Sequence, residues 1–87
     1  MNHTRLYVGD LASSITDADL KALFDSVGEV NSINMMGNAA HLFAFIEMKT
    51  PEAAREAVRQ YNGYELQGRR LIVYTVPPQS RPRDNRN

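Results

Sequence analysis

The 87-residue sequence contains no cysteine and no apolar run long enough to cross a lipid bilayer. Without cysteine, the chain can form neither a disulfide framework nor a thiolate metal site. Its two histidines, His3 and His41, stand far apart, so the sequence predicts no metal site and no cofactor. The start MNHTRLYV lacks the apolar core of a secretory signal, which predicts a cytoplasmic protein without a membrane association.

A surplus of charge is lacking as well, because ten basic residues balance ten acidic ones. Bulk electrostatic attraction therefore points neither to nucleic acid nor to an anionic membrane. Residues 77–87 contain three arginines and one aspartate, a sum of +2, which leaves −2 for residues 1–76. The same segment contains three of the four prolines and no large apolar side chain. We therefore expect a domain at residues 1–76 and a flexible basic tail at residues 77–87.

The signatures of an enzyme are also lacking. No glycine-rich phosphate loop is present, and no nucleophile stands beside a base in a recognisable motif. Hydrophobic residues make up 43% of the chain and charged residues 23%, which is typical of a soluble globular protein. The length suffices for one small domain. We therefore expect a single domain that binds a ligand rather than catalysing a reaction.

Residues 41–48 (HLFAFIEM) alternate between two faces, as a strand does. Phe43 and Phe45 share one face, and the other face is also apolar. Its members are Leu42, Ala44, Ile46 and Met48. A central strand covered on both faces would explain this pattern, and so would a strand whose outer rings bind a ligand.

Two helices are predicted from their end signals and their apolar stripes. Thr16 can cap the first helix, with Asp19 completing a capping box, and Gly28 is expected to end it in the left-handed conformation. Thr50 can cap the second helix, with Pro51 in its first turn. The apolar stripes consist of Leu20, Leu23, Phe24 and Val27 in the first helix and of Ala54, Ala57, Val58 and Tyr61 in the second.

The element order predicts an α+β fold of the ferredoxin-like, split βαβ type (βαββαβ), with two helices on one face of a four-stranded antiparallel sheet. The four strands are expected at residues 5–9, 30–36, 41–48 and 71–76. In this fold the first and third strands are neighbours, so Tyr7 should lie beside Phe45 and near Phe43 on the bare face. A bare aromatic face favours a binding surface over a covered sheet.

The sequence resembles the RNA recognition motif family over roughly residues 4–76. Residues 6–11 (LYVGDL) resemble the short hexamer of its first strand, and residues 41–48 resemble its octamer, K/R-G-F/Y-G/A-F-V-x-F/Y. His41 replaces the basic residue of the octamer, Leu42 replaces its glycine, and Asp10 stands where asparagine is common. Within the family, the chain looks most like small single-domain members found in bacteria.

The resemblance implies that the ligand is single-stranded RNA, with Tyr7 and Phe45 each stacking a base and Phe43 inserted toward the sugars. Further residues are expected on or beside the same face. Arg5, His41 and Arg70, the last at the start of the fourth strand, could meet phosphates, as could the arginines of the tail. Asn34 could hydrogen-bond a base edge, and Met36 and Tyr74 face the same side. For Arg5, an ion pair with Glu47 on the neighbouring strand is the alternative to a phosphate contact.

A protein partner is the alternative ligand for the bare face. The same rings could hold another protein or a second copy of this chain, and the acidic body and the missing octamer cation favour that alternative. The presence of all three rings favours RNA. On the RNA interpretation the face must be open, so we expect a monomer.

Overall fold

The computed structural model describes residues 3–76, and the predicted tail with its arginines lies outside the described residues. In chain order the elements are β1 (Arg5–Leu11), α1 (Asp17–Phe24), β2 (Val30–Gly37), β3 (Leu42–Met48), α2 (Pro51–Tyr61), β4 (Glu65–Leu66), β5 (Arg69–Arg70) and β6 (Ile72–Val76). The four long strands form one antiparallel sheet in the order β2-β3-β1-β6, and both helices cover the same face. The predicted fold class is confirmed.

The core lies between the sheet and the two helices. Alternate side chains of the central strands point toward the helices, and those of Leu6, Val8, Ala44 and Ile46 are fully buried. Phe24 of α1 is fully buried against them. Since the inward positions carry almost all the large buried side chains, the outward positions of the sheet are not needed for the core.

Both helices begin where the sequence predicts. The Thr16 hydroxyl accepts a hydrogen bond from the amide of Asp19 at 3.2 Å, and the Asp19 carboxylate accepts one from the amide of Thr16 at 3.0 Å. The Thr50 hydroxyl caps α2 through the amide of Ala53, with Pro51 as its first residue. These side chains satisfy amides that have no partner inside the helix.

The prediction for Gly28 is wrong. Helix α1 ends at Phe24, and Gly28 does not adopt the left-handed conformation. Its small size serves packing instead, because a Cβ atom on Gly28 would stand 2.5 Å from the Cβ atom of Ala53 in α2. Glycine is therefore required here because α2 passes close to the backbone.

The short hairpin of β4 and β5 was not predicted. Its turn consists of Gln67 and Gly68, with φ of 51° and 85°. Left-handed conformations at both central residues are typical of tight two-residue hairpins. Because Arg70 pairs with Glu65 inside this hairpin, the last long strand begins only at Ile72.

Candidate nucleic-acid interface

The bare face of the sheet carries a regular array of side chains, which we call the platform. Its middle row runs across all four strands through Asn34, Phe45, Tyr7 and Tyr74, which the register places opposite one another. The flanking rows consist of Ser32, Glu47, Arg5 and Val76 on one side and of Met36, Phe43, Gly9 and Ile72 on the other. The platform therefore brings together most of the residues that the sequence placed on this face, but not His41 or Arg70.

Tyr7 is the centre of an aromatic cluster on the platform. Its ring centroid lies 5.7 Å from that of Phe43 and 5.9 Å from that of Phe45. The ring of Tyr74 stacks beside Tyr7 at 5.0 Å. Phe43 and Phe45 meet edge to face at 5.9 Å. These separations match those of favourable aromatic pairs, so the rings support one another while one side faces solvent.

A glycine makes room for the central ring. The ring of Tyr7 lies over Gly9, two residues further along β1, and a Cβ atom on Gly9 would stand 2.5 Å from the Tyr7 hydroxyl oxygen. The glycine of the hexamer therefore lets Tyr7 lie flat along its own strand. A larger residue at this position would push the ring away from the sheet.

The guanidinium of Arg5 contacts two side chains of the neighbouring strand β3. Its Nη1 atom lies 3.9 Å from Oε1 of Glu47, and its guanidinium lies 4.7 Å from the centroid of the Phe45 ring. The Thr4 hydroxyl donates a hydrogen bond to the same carboxylate. The ion pair that the sequence offered as the alternative for Arg5 is therefore present.

The end of the platform beyond Gly9 is formed by an irregular piece of β1. The pairing of β1 with β3 shifts between Val8 and Leu11, and Asp10 has φ of 61°. The Asp10 carboxylate oxygen Oδ1 accepts hydrogen bonds from Nε and Nη2 of Arg69 at 3.2 and 2.6 Å. This ion pair borders a cavity of about 200 Å³.

Of the other predicted site residues, three lie on the platform and two lie away from it. Met36 and Tyr74 are 45% and 48% exposed on the platform, and Asn34 lies beside Phe45. His41 lies in the turn before β3 and lines the cavity. Arg70 does not occupy the expected position at the start of the last long strand, because it belongs to the β4–β5 hairpin.

Sequence reasoning missed Asp10 and Arg69 as residues of the site. Arg69, rather than Arg70, lines the cavity, and it reaches Asp10 across 59 positions of the chain. The signal in the sequence that could have located Arg69 was the pair Gln67-Gly68, because a tight turn at these two residues fixes the position of Arg69 directly after it. Both arginines at the platform, Arg5 and Arg69, thus have carboxylate partners. Separately, residues 3–76 contain no group of acidic or histidine side chains suited to a metal ion.

Comparison with known proteins identifies the family. The family model described as RNA recognition motif matches residues 6–72, which includes both strands with the hexamer and octamer patterns. The chain belongs to the RNA recognition motif family. Within residues 3–76, no helix has the length and apolar character needed to span a membrane.

The matched relatives are longer than this chain. The chain is 35% identical over 78 residues to the chloroplastic 29 kDa ribonucleoprotein of Arabidopsis thaliana, with 85% of this chain and 23% of the relative covered. It is 37% identical over 70 residues to a polyadenylate-binding protein of Encephalitozoon cuniculi, with 78% of this chain and 14% of the relative covered. The chain thus spans less than a quarter of the length of these two relatives.

A solved structure shares the fold closely. The structure described as Rna15 RRM with bound RNA (GU) superposes with a TM-score of 0.79 at 27% identity, over 92% of this chain and 89% of that chain. The expected similarity to small bacterial members is not supported, because the relatives compared come mostly from plants and other eukaryotes.

Proposed function

We propose that this domain binds single-stranded RNA on the platform by stacking bases on its aromatic rings. The observation that carries the proposal is the placement of Tyr7 directly opposite Phe45, with Phe43 5.7 Å from Tyr7, on a sheet face that the helices leave uncovered. Single-stranded bases stack on such rings with little sequence preference. Membership of the RNA recognition motif family and the likeness to an RNA-bound structure support the same function.

The expected affinity follows from the rings and the charges. Each stacked base contributes about 1–3 kcal/mol, and a micromolar complex requires about 8 kcal/mol. Because Arg5 and Arg69 are paired with carboxylates, phosphate contacts from these two arginines add little. We therefore propose a complex of about micromolar affinity whose strength comes mainly from stacking.

The remaining platform residues have supporting roles in this proposal. Tyr74 stacks beside Tyr7 and extends the aromatic surface to β6. Asn34 can donate and accept hydrogen bonds at a base edge next to Phe45. Met36 and His41 border the bases at the β2–β3 end. In this proposal the domain acts by binding alone, and a cytoplasmic location stays a prediction from the sequence.

A protein-binding function is the second candidate, and the exposed apolar side chains of the platform favour it. Met36, Ile72 and Tyr74 are each 45–48% exposed and lie beside the rings. Such a patch gains free energy when a partner covers it, at roughly 25 cal/mol per Å², although association costs consume much of that gain. A second copy of this chain is the simplest such partner.

One experiment separates the two candidates. The isotope-labelled protein is titrated with a short uridine-rich single-stranded RNA while its amide spectrum is recorded, and its mass is measured by sedimentation at micromolar concentration. The RNA proposal predicts a monomer whose β1 and β3 amides shift on titration, while those of α1 and α2 stay unchanged. A stable dimer that buries Tyr7 and Phe45 and persists with RNA would contradict it.

A further inference from the structure

The cavity at the end of the platform contains polar groups that base stacking does not use. Its apolar lining includes Tyr7, Phe43 and Ile72, and its polar side chains are Asp10, Arg69 and His41. Its volume is about 200 Å³, which is below the roughly 300–1,000 Å³ of sites for drug-sized ligands. A space of this size, with apolar walls and charged groups at one edge, suits one planar base.

The backbone brings Asp10 to this cavity in an uncommon conformation. A residue with a side chain rarely adopts a φ of 61°, although aspartate and asparagine tolerate it better than most. The irregular pairing between Val8 and Leu11 turns the strand at this point, and such irregularities redirect side chains near binding sites. The surrounding structure therefore holds the carboxylate at the edge of the aromatic cluster.

The ion pair leaves hydrogen-bonding groups available. Arg69 donates to Oδ1 of Asp10 only, and Oδ2 accepts no hydrogen bond from any residue between 3 and 76. A carboxylate oxygen has two lone pairs, and a guanidinium has five N–H donors, of which this pair uses two. The edge of the cavity thus presents an unused acceptor next to unused donors.

We propose that the cavity reads a guanine base of the bound RNA, an inference that rests on the proposed RNA binding. Guanine has two adjacent N–H donors, at N1 and N2, which can both donate to Oδ2 of Asp10, while its O6 accepts from Arg69. Adenine and cytosine offer only one N–H group on this edge, the amino group, and the ring nitrogen beside it is an acceptor that cannot donate to the carboxylate. Uracil has one N–H between two carbonyl oxygens, so a carbonyl oxygen would face the carboxylate. Guanine is the base whose donors and acceptor match this edge most completely.

The test compares heptamers that differ at one base. Because the domain can bind a uridine run in several registers, a single central guanine in UUUGUUU can reach the cavity. We expect UUUGUUU to bind about tenfold more tightly than UUUUUUU, within the range for a bidentate base contact. UUUAUUU and UUUCUUU should resemble UUUUUUU. Inosine in the central position, which lacks the N2 amino group, should give an intermediate affinity.

A pair of variants tests the role of the carboxylate. Asp10→Asn keeps the size of the side chain and tolerates the left-handed backbone, but it removes the charge and places N–H groups at the acceptor edge. We expect the affinity ratio of UUUGUUU to UUUUUUU to fall close to one. Asp25→Asn, which alters an ion-paired aspartate next to α1, should keep the ratio of the unaltered protein. Arg69→Gln should also lower the affinity ratio, and it provides the test if the Asp10→Asn protein fails to fold.

The outcomes distinguish this inference from the proposed function. Equal affinities for all the heptamers, or a guanine preference that survives both Asp10→Asn and Arg69→Gln, would overturn guanine recognition and leave RNA binding intact. If none of the heptamers binds, the proposed function itself is wrong.

Discussion

Arg5 and Glu47 face each other across β1 and β3 and form an ion pair at one side of the platform. The pair holds a cation close to the place where RNA phosphates would pass, but it neutralises that cation. Surface ion pairs contribute about 1 kcal/mol or less to stability. The pair therefore affects ligand binding more than it affects the fold.

Replacing the acid of this pair should strengthen RNA binding. Glu47→Gln keeps a side chain that accepts the hydrogen bond of Thr4, but it leaves Arg5 without a charged partner. We expect tighter binding of a uridine heptamer and a steeper salt dependence, with the slope of log K against log salt changing by about −0.7 for one new phosphate contact. Fluorescence anisotropy titrations at several salt concentrations measure both effects.

The matched control for this prediction is Glu52→Gln. Glu52 pairs with Arg55 on the exposed side of α2, on the face of the sheet opposite the platform. Glu52→Gln should change neither the RNA affinity nor the slope of log K against log salt. Weaker binding by the Glu47→Gln protein would show that Glu47 contacts the RNA or positions Arg5 for it.

Removing a platform ring should weaken RNA binding with little loss of structure. Tyr7 and Phe45 point away from the core, so their replacement by alanine leaves the buried side chains in place. We expect each change to reduce the affinity roughly tenfold or more, as expected for the loss of one stacked base. Tyr64→Ala removes an exposed ring outside the platform and should leave the affinity unchanged. Unfolding of the Tyr7→Ala protein would mean that this ring belongs to the core.

Sequence patterns predicted the fold and the middle row of the platform for a clear reason. Alternation in a strand fixes which side chains share a face, and the antiparallel order of the fold fixes which strands are neighbours. From these two rules, the pairing of Tyr7 with Phe45 follows without coordinates. The caps at Thr16 and Thr50 were equally predictable, because they depend on residues only three positions apart.

Features that depend on distant contacts could not be predicted in this way. The pairing of Asp10 with Arg69 requires a strand irregularity and a hairpin that position two residues far apart in the chain. The role of Gly28 depends on how closely α2 approaches, which no local pattern reveals. The expected left-handed stop was wrong there because glycine residues also serve close packing.

The arginines of residues 77–87 give a separate prediction. If they bind phosphates, deletion of residues 77–87 should lower the RNA affinity and reduce the magnitude of the salt slope by about 0.7 for each phosphate that the shorter chain no longer binds. Residues 1–76 and the full chain, each titrated at several salt concentrations, measure this difference. An unchanged slope would show that the tail does not bind phosphate.

Replacing the glycine beneath Tyr7 should reduce binding without unfolding the domain. A Cβ atom in Gly9→Ala would overlap the end of the Tyr7 ring, which can swing away because it lies on the solvent side of the sheet. We expect a weaker complex with the uridine heptamer, since the displaced ring no longer supports a base. The melting temperature should change little. Wild-type affinity in this variant would mean that the position of the Tyr7 ring does not control stacking.

Gly28→Ala should show the opposite behaviour. Here the added Cβ atom meets the Cβ atom of Ala53, and neither residue has a flexible side chain that can move. Overpacking of this kind typically costs about 1–3 kcal/mol, and each 1 kcal/mol lowers the melting temperature of a domain of this size by about 4–8 °C. The RNA affinity of the folded protein should stay unchanged, because the overlap lies on the helix side of the sheet.

A double-mutant cycle shows whether the overlap is the cause. If the alanine methyl groups collide, the double variant Gly28→Ala/Ala53→Gly should lose less stability than the sum of the losses in the two single variants. Ala53→Gly alone should destabilise the domain by no more than about 1 kcal/mol, because glycine has a lower helix propensity and Ala53 lies in the first turn of α2. Chemical denaturation of the four proteins gives the coupling energy. Strict additivity would mean that Gly28→Ala destabilises the domain by some route other than its overlap with Ala53.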